Sequence, residues 1–390
     1  HDNQTTMVRL SLFKRILNFD FNEGRALILF GPRKTGKTTV LHERFPNAIF
    51  FDLLKTDVRA RFQLTPSRLR EIVLENPKKT YILDEIQKVP TLLDEVHWLL
   101  ENTEAHFILC GSSVRKLKRG AANLLGGRAL RMDLFPLVFS EIPNFDLNRA
   151  INHGLIPQHY ISKNPGRFIK AYIEQYLQEE IVEESRIRNL QVFHRFLEVA
   201  ALMNGELLNY ANVGSDCGVS PKAIREYYQI LEDTLIGFTL NSWMKVKSRK
   251  LIETSKFYLF DTGLIRSLKG IDKIVEKTTE FGNLFETLMI NEVRSYISYK
   301  YKEYKLSFWR TTSQLEVDLI VGPMLAAIEF KSTNRITRNE LKGLNALLTE
   351  HSPEHKLLVC RVSEPLQLEN GIRILPYEQF LKLLWSGKLF

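Results

Sequence analysis

The chain has 390 residues, of which 44% are hydrophobic and 25% are charged. This length favours two or three domains, and these proportions exclude intrinsically disordered and fibrous proteins. The formal net charge of +9 favours an anionic partner, and nucleic acid is the commonest one.

Hydropathy and cysteine content exclude further classes of protein. We find no apolar run near the ~18 residues that span a membrane and no charged-then-apolar leader, so we expect a cytoplasmic protein with no membrane partner. The cysteines Cys110, Cys217 and Cys360 are far apart and odd in number, which argues against a disulfide framework or a cysteine-based zinc site.

Residues 1–150 are predicted to form an α/β domain with three layers. A continuous apolar run at residues 26–30 indicates a buried parallel strand, and a helix begins at Thr38. Further apolar runs lie at residues 48–51, 80–83, 106–110 and 130–134. The segments between them are long enough for crossover helices.

A glycine-rich loop lies between the first strand and the first helix. It has the pattern Gly-x-x-x-x-Gly-Lys-[Ser/Thr], in which backbone N–H groups surround a phosphate at a helix N-terminus. We expect Lys37 to contact the β- and γ-phosphates of a nucleoside triphosphate and the Thr38 hydroxyl to bind Mg²⁺. The predicted nucleotide-binding residues are Gly31, Pro32, Arg33, Lys34, Thr35, Gly36, Lys37, Thr38 and Thr39.

A later strand of this domain ends in two carboxylates, Asp84 and Glu85. Burying such a pair is costly unless the two groups bind a cation or polarise water. Asp84 is expected to hold magnesium through water, and Glu85 to orient and deprotonate the attacking water. The pair therefore predicts hydrolysis, with a solvated acidic strand end as the alternative.

The next strand ends in Gly111-Ser112-Ser113, which places a hydroxyl beside the γ-phosphate position. Either Ser112 or Ser113 is a candidate for sensing that phosphate. Arg128 is a candidate arginine finger that acts on the nucleotide of a neighbouring subunit in a homo-oligomer. Arg115 competes for this role, and Arg128 as an ordinary surface residue is the alternative.

Residues 151–270 are predicted to be a helical connector. The periodicity from 167 to 243 is helical, with no strand rhythm. A helix begins at residues 207–211, a turn follows at 214–219, and Ser220 caps a second helix. This outline is a winged helix-turn-helix.

The second helix of this outline carries Lys222 and Arg225 near its N-terminal end. These two residues, with Lys245 and Lys247 in a following wing or loop that also contains Arg249 and Lys250, are candidate contacts to DNA phosphates. A winged helix that serves only subunit or interdomain packing is the alternative.

Residues 271–390 are predicted to contain a long helix at 281–299, strands near 305–310, 316–321 and 325–330, a helix at 338–350 and a strand at 355–360. Asp318 and the segment Glu329-Phe330-Lys331 lie on two strands joined by a turn at Gly322-Pro323. This arrangement is similar to that of the PD-(D/E)XK nucleases, in which two acidic residues bind magnesium and a lysine positions or activates water.

The long helix places two carboxylates within its apolar arc. At 100° per residue, Glu286 lies between Val293 and Ile297, and Glu292 lies between two phenylalanines. Buried carboxylates need partners. We therefore assign Glu286 as a further metal ligand beside Asp318 and Glu329, and Glu292 as a structural ion-pair residue.

Several motifs together resemble AAA-superfamily P-loop ATPases of bacteria and archaea that carry a C-terminal domain of unknown function. The similar segments are Gly-Pro-Arg-x-x-Gly-Lys-Thr-Thr, Leu-Asp-Glu-Ile-Gln, Gly-Ser-Ser, Gly-Arg and Phe-Pro-Leu-x-Phe-Ser-Glu, and further ones at residues 258–264 and 308–311. The resemblance covers nearly the whole chain. It implies ATP hydrolysis and a C-terminal, restriction-endonuclease-like α/β fold. Cys110 departs from it, since a threonine or similar small residue is more usual there.

These observations predict a magnesium-dependent ATPase that acts on DNA. ATP hydrolysis would drive DNA remodelling or gate a C-terminal nuclease that uses a second Mg²⁺ or Mn²⁺. The alternative is an ATP-dependent conformational switch or scaffold that binds DNA or protein and does not cleave.

Overall fold

A computed structural model describes residues 13–19, 25–112, 129–177, 189–243 and 254–390. Some of the predicted site residues lie outside these ranges. They are Ser113, Arg115, Arg128, Lys245, Lys247, Arg249 and Lys250.

The N-terminal region is an α/β domain, as predicted. Among the described residues, five parallel strands form one sheet in the order β2-β3-β4-β1-β5. The strands are β1 (Ala26–Phe30), β2 (Ile49–Asp52), β3 (Thr80–Asp84), β4 (His106–Gly111) and β5 (Ala129–Asp133). The helices are α1 (Lys37–Arg44), α2 (Thr56–Leu64), α3 (Arg68–Glu75) and α4 (Leu92–Asn102). Because β1, β3 and β4 are neighbours, the loops at their carboxyl ends meet at one edge of the sheet.

A helical region follows. Its helices are α5 (Leu147–His153), α6 (Pro157–Ile161), α7 (Pro165–Ala171), α8 (Leu190–Leu202), α9 (Tyr210–Cys217) and α10 (Pro221–Asp233). The Ser220 hydroxyl accepts a hydrogen bond from the backbone N–H of Ala223 at 3.3 Å and so caps α10. The predicted turn at 214–219 is too long, because α9 continues to Cys217 and ends at Gly218, whose φ of 69° is left-handed.

The prediction that no strand interrupts residues 167–243 is wrong. Strand β6 (Gly237–Ser242) pairs antiparallel with β7 (Ser255–Leu259). A Cβ on Gly237 would overlap the ring of Phe257, so the glycine allows the two strands to pack closely. A run of six residues directly after a helix is too short for its alternation to stand out from helical periodicity.

The C-terminal sheet has eight strands among the described residues, in the order β12-β13-β11-β10-β9-β8-β6-β7. It therefore contains strands both from the predicted helical connector (151–270) and from the predicted C-terminal region (271–390). The new strands are β8 (Leu306–Arg310), β9 (Glu316–Val321), β10 (Ala326–Phe330), β11 (His355–Cys360), β12 (Leu366–Gln367) and β13 (Arg373–Pro376). The helices are α11 (Thr262–Leu268), α12 (Thr279–Tyr299), α13 (Lys342–Glu350) and α14 (Tyr377–Trp385).

Pairing within this sheet follows the predicted hairpin. Strands β9 and β10 are antiparallel, with Leu319 opposite Ile328. Strands β10 and β11 are parallel, and α13 crosses between them. The elements β12, β13 and α14 were not predicted, since the sequence interpretation ends at residue 360.

One continuous apolar core connects the three regions. It runs from Leu27 and Leu29 on one face of the N-terminal sheet, through Phe196 in α8, to Phe285 and Val293 in α12. The long helix α12 therefore packs against both the N-terminal and the C-terminal regions.

Candidate nucleotide and nucleic-acid sites

The glycine-rich loop follows β1 and leads into α1. A Cβ on Gly31 would overlap the carbonyl oxygen of Leu134, so only glycine fits at this point. Gly36 adopts a left-handed conformation with φ of 92° just before α1. These two glycines shape the loop at the N-terminus of the helix, where an anion is stabilised.

Lys37 and Thr38 lie where the loop enters α1. The buried Lys37 Nζ donates to the carbonyl oxygens of Gly31 at 2.7 Å and Pro32 at 3.1 Å. The Thr38 hydroxyl donates to Oδ2 of Asp84 at 2.7 Å. The structure thus joins the loop to the carboxylate that ends β3.

Glu85 begins the turn after β3 and has a left-handed φ of 58°. Its Oε2 accepts a hydrogen bond from the amide of Gln87 and lies 3.5 Å from the Ser112 hydroxyl. The same Gln87 amide donates to Ser112 Oγ at 3.0 Å. Side chains that follow the neighbouring strands β3 and β4 therefore hold the Glu85 carboxylate.

Gln87 was missed as a site residue by the sequence interpretation. It is buried, and a Cβ on Gly111 would contact its Oε1 at 2.5 Å, so Gly111 makes room for this side chain. The signal was present in the segment Leu-Asp-Glu-Ile-Gln. The fold is needed to show that the amide faces Glu85.

Cys110 lies beside this pair of carboxylates. Burial, together with the negative charge of Asp84, raises the pKa of its thiol well above the ordinary value. The thiol therefore stays neutral. The resemblance of the motifs implies a threonine or similar small residue at this position.

The remaining loop residues have different surroundings. The Thr35 hydroxyl donates to the Pro32 carbonyl at 2.7 Å. Lys34 is exposed, its Nζ is 3.4 Å from Oε1 of Gln158, and partial burial lowers its pKa. Arg33 and Thr39 are half-buried.

The two described basic residues of the predicted helix-turn-helix are both exposed. Lys222 and Arg225 lie in the first turns of α10. The Arg225 guanidinium stands 5.0 Å from the ring centre of Tyr210. Both side chains are accessible to a polyanion.

The structure brings together the four acidic and basic residues predicted in the C-terminal region. Lys331 Nζ lies 2.6 Å from Oε1 of Glu329 and 3.8 Å from Oδ2 of Asp318. The same Asp318 oxygen accepts the backbone N–H of Phe330 at 2.8 Å. Glu286 approaches from α12 closely enough for Asp318 and Lys331 to affect its ionisation. We call Glu286, Asp318, Glu329 and Lys331 the acidic cluster.

Two further residues of this cluster's surroundings come from β7 and were not predicted. The Tyr258 hydroxyl donates to Oε1 of Glu286 at 2.7 Å. Lys256 forms an ion pair with Glu316, which also accepts Nη1 of Arg310 at 2.9 Å. Tyr258 and Lys256 both lie within the predicted helical connector (151–270), where no strand and no site residue beside Glu286 were expected.

Burial dominates the ionisation of the acidic cluster. It raises the pKa of Glu286 to about 7, with Asp318 acting in the same direction and Lys256 opposing. Burial and Asp318 also raise the pKa of Glu329 well above its usual value. Burial lowers the pKa of Lys331, but Asp318 and Glu329 outweigh it and the net shift is upward. Lys331 therefore carries a charge that partly neutralises the carboxylates.

The fit of the acidic cluster to a metal ion is incomplete. Among the described residues, no three His, Cys, Asp or Glu side chains are grouped so that they could hold one ion. Within the same ranges, Oε2 of Glu329 is buried and has no hydrogen-bond partner. One carboxylate oxygen of Glu329 is therefore without a partner, while the other faces the Lys331 ammonium.

A cleft of about 580 Å³ opens beside the acidic cluster. Its walls include the acidic Glu276 and Glu286 and four basic side chains, which are Lys277, Lys331, Arg335 and Arg361. Arg361 is held by an ion pair with Glu276 at 2.8 Å. The cleft thus combines cationic walls with buried carboxylates.

Glu292 has different partners from those predicted. Its carboxyl oxygens accept the backbone N–H of Phe139 at 2.8 Å and Nε1 of Trp385 at 2.7 Å. In the described part of the chain these uncharged donors take the place of the expected cation. Burial raises its pKa to about 8, and the group ties α12 to the segment after β5.

Family models match three consecutive parts of the chain. Residues 23–143 match the AAA domain, residues 144–274 match a domain of unknown function (DUF8612), and residues 281–380 match a domain of unknown function (DUF4143). The N-terminal region therefore resembles an AAA-type P-loop ATPase domain, in agreement with the motifs.

Related proteins are similar to this chain over most of its length, but they are uncharacterized and so indicate no activity. The uncharacterized proteins Mb2031c of Mycobacterium bovis and Rv2008c of Mycobacterium tuberculosis are each 23% identical over 91% of this chain and 80% of their own length. The uncharacterized protein MJ1544 of Methanocaldococcus jannaschii is 22% identical over 67% of this chain and 66% of its own.

Solved structures share only a distant likeness. Orc1 of Aeropyrum pernix in complex with DNA is 14% identical, covers 62% of this chain and 85% of that chain, and gives a TM-score of 0.28. Protein VC1899 from Vibrio cholerae is 11% identical over 94% of this chain and 97% of that chain, with a TM-score of 0.23. In the ranges that the structure describes, no helix is long and apolar enough to cross a membrane.

Proposed function

We propose that this protein is a magnesium-dependent ATPase. The observation that carries the proposal is the hydrogen bond of 2.7 Å between Thr38 and Asp84, with Glu85 held at the same sheet edge by Gln87 and Ser112. The match of residues 23–143 to the AAA domain supports it.

Each residue of the site has a role in this proposal. The loop N–H groups and Lys37 bind the phosphates, and Lys37 stabilises negative charge on the γ-phosphate. The Thr38 hydroxyl and the Asp84 carboxylate are oxygen ligands that suit Mg²⁺, which when bound neutralises charge on the phosphates. Glu85 accepts a proton from the attacking water, while Gln87 and Ser112 orient its carboxylate.

The proposal is tested by phosphate release with and without Mg²⁺. The parent protein should hydrolyse ATP only with the cation, and Lys37→Ala should abolish both nucleotide binding and hydrolysis. Lys55→Ala, at an exposed lysine of the same domain, is the matched control. Equal phosphate release by the parent and Lys37→Ala would contradict the proposal.

DNA is the proposed partner. The supporting observations are the net charge of +9, the exposed Lys222 and Arg225 at the start of α10, and the cationic walls of the C-terminal cleft. In this proposal ATP hydrolysis drives DNA remodelling or gates access of DNA to the cleft. A polyanion that binds through phosphate contacts releases counterions, so its affinity falls with salt.

The DNA proposal predicts a steep salt dependence of binding. Replacing Lys222 and Arg225 together by alanine should weaken binding and reduce the slope of log affinity against log salt by about two, since each phosphate contact contributes about 0.9. The double variant Lys55→Ala/Lys79→Ala, at exposed lysines of the ATPase domain, should leave the slope unchanged. A parent slope near zero would exclude DNA as the ligand.

Metal-dependent DNA cleavage is a second candidate, and the acidic cluster favours it. Helix α12, the antiparallel strands β8, β9 and β10, the crossover α13 and the parallel strand β11 provide the chain order on which Asp318, Glu329 and Lys331 were predicted. As they stand, these carboxylates are not grouped to hold one ion, so Asp318, Glu329 and Glu286 would have to close around the cation, and Lys331 would then position water. For this to occur, Lys331 has to leave its ion pair with Glu329.

Cleavage and a non-cleaving scaffold are distinguished by one assay. Incubation of several DNA forms with Mn²⁺ should give cleavage by the parent that is lost in Asp318→Asn and Lys331→Ala. Equal cleavage by these variants would exclude the acidic cluster as the nuclease site. ATP-dependent DNA binding that survives Asp318→Asn, with no cleavage by the parent, would instead support the switch or scaffold.

A further inference from the structure

Arg15 is a buried arginine outside the nucleotide-binding loop that contacts three other segments of the chain. Its Nη1 donates to the carbonyl of Thr35 at 2.5 Å. Its Nη2 donates to the carbonyl of Phe135 at 2.7 Å and to the Tyr299 hydroxyl at 3.1 Å, and its Nε lies 2.9 Å from Oε1 of Glu141. A single guanidinium thus joins the loop, the segment after β5 and the end of α12.

The contact with Thr35 bears directly on phosphate binding. The Thr35 carbonyl belongs to the same peptide unit as the Gly36 N–H, and this unit is planar. Fixing the direction of the carbonyl therefore fixes the direction of the N–H. N–H groups of such a loop are the donors that bind phosphate, so Arg15 orients one of them without touching the nucleotide.

The contact with Tyr299 connects this arrangement to the C-terminal region. The Tyr299 hydroxyl accepts hydrogen bonds from Arg15 and from the backbone N–H of Phe135 at 3.1 Å. Burial raises the pKa of Tyr299, so the group stays a neutral hydroxyl. Burial lowers the pKa of Arg15, but Glu141 and Tyr299 outweigh it, and the guanidinium stays charged.

Tyr299 and Glu286 lie on the same helix, thirteen residues apart, which is about 20 Å along the axis. Between them, Glu292 accepts the Phe139 N–H, and the Arg294 guanidinium stands 4.8 Å from the ring centre of Phe135. The segment after β5 therefore holds α12 at three points. A shift of that segment would move the helix as a body.

We infer that Arg15 is a positioning residue of the nucleotide site and that its hydrogen bond to Tyr299 couples occupancy of that site to helix α12 and the acidic cluster. The inference rests on the proposed binding of nucleotide. Coupling between sites is reciprocal, so the state of α12 also affects nucleotide affinity.

Tyr299→Phe removes one hydroxyl and retains the buried ring, so it tests the coupling with little risk to folding. Hydrogen–deuterium exchange of peptides from residues 279–299 is measured with and without Mg²⁺-ADP or a non-hydrolysable ATP analogue. In the parent, nucleotide should slow exchange in the last turns of α12 by about tenfold. In Tyr299→Phe that change should disappear, while nucleotide affinity falls by no more than about fivefold.

Tyr296→Phe is the matched control, because Tyr296 lies on the same helix and its hydroxyl bonds to the carbonyl of Phe390 instead. It should keep the full nucleotide response. A second variant, Arg15→Lys, keeps the charge but lacks the fork of donors. It should weaken nucleotide binding by about tenfold at a temperature at which circular dichroism shows it fully folded, and an affinity equal to that of the parent would overturn the role of Arg15.

The failures of the two proposals have different signatures. If the parent binds no nucleotide, the proposed function is wrong and this inference fails with it. If the parent binds nucleotide and Tyr299→Phe keeps the parent's response in α12, or the parent shows no response there, the inference alone is overturned.

Discussion

The nucleotide site and the acidic cluster both contain carboxylates carried by β-strands, but they neutralise them differently. Asp84 and Glu85 accept hydrogen bonds from the uncharged groups of Thr38 and Gln87. In the acidic cluster, by contrast, Glu329 faces the ammonium of Lys331 at 2.6 Å. The first site can receive a divalent cation without losing an ion pair, whereas the second has to break one.

The largest expected effect concerns the shape of the nucleotide loop. In Gly31→Ala the new methyl group would overlap the Leu134 carbonyl, and backbone atoms cannot move aside as a side chain can. Nucleotide affinity, measured by titration calorimetry, should fall by about 100-fold or more. Gly166→Ala, where a Cβ meets nothing within 4 Å, should bind like the parent. Normal binding by Gly31→Ala would refute the described loop geometry.

A smaller effect is expected from loss of the amide that holds Glu85. Gln87→Ala should lower kcat for ATP hydrolysis by about 30-fold with little change in KM, because the base loses its orientation but the phosphate contacts remain. Gln63→Ala, at an exposed glutamine of the same domain, provides the comparison. A change confined to KM would argue that Gln87 acts on binding.

Removal of the Lys331 ammonium should strengthen metal binding by the acidic cluster, whereas the two changes above weaken the nucleotide site. In Lys331→Met the carboxylates of Asp318 and Glu329 lose their ammonium partner and become available, so Mn²⁺ affinity should rise by about tenfold, equivalent to about 1.4 kcal/mol. Lys300→Met, at an exposed lysine on the end of α12, should leave it unchanged. Weaker Mn²⁺ binding in Lys331→Met would show that the lysine assists the cation instead of opposing it.

The buried Glu292 carboxyl, which joins α12 to the segment after β5, predicts a pH effect on stability. Burial raises the pKa of Glu292 to about 8, so its contribution is fully present below the unfolded value near 4.5 and is lost as pH rises through 8. About 1.4 kcal/mol of the free energy of unfolding should therefore be lost from this group between pH 7 and pH 9. Denaturant melts of the parent and of Glu292→Gln, which has no charge to bury, measure this difference.

If both proteins lose the same free energy of unfolding over that pH range, Glu292 does not titrate as described. Glu378→Gln, at an exposed carboxylate of α14, should retain the slope of the parent.

Sequence alone could locate Lys37, Thr38, Asp84 and Glu85, because each belongs to a short segment whose local pattern implies its geometry. It also placed Asp318, Glu329 and Lys331 on adjacent strands, since a hairpin turn fixes which residues are opposed. The α/β region and the strand bounds 316–321 and 355–360 agree with the structure.

The residues that were missed depend on contacts between distant segments. Tyr258 reaches Glu286 only because β6 and β7 join the C-terminal sheet. Arg15 lies 120 residues from Phe135 and 284 from Tyr299 in sequence. Local periodicity does not indicate contacts between residues so far apart in sequence. The contacts between the N-terminal and C-terminal regions can therefore be seen only in the fold.

The central claim is that Glu85 serves as the base in a site built for hydrolysis. Single-turnover ATP hydrolysis by the parent and by Glu85→Gln, with nucleotide affinity measured in parallel, tests it most directly. We expect Glu85→Gln to bind Mg²⁺-ATP as tightly as the parent and to hydrolyse it at least about 100-fold more slowly. Hydrolysis by Glu85→Gln at the rate of the parent would contradict the claim.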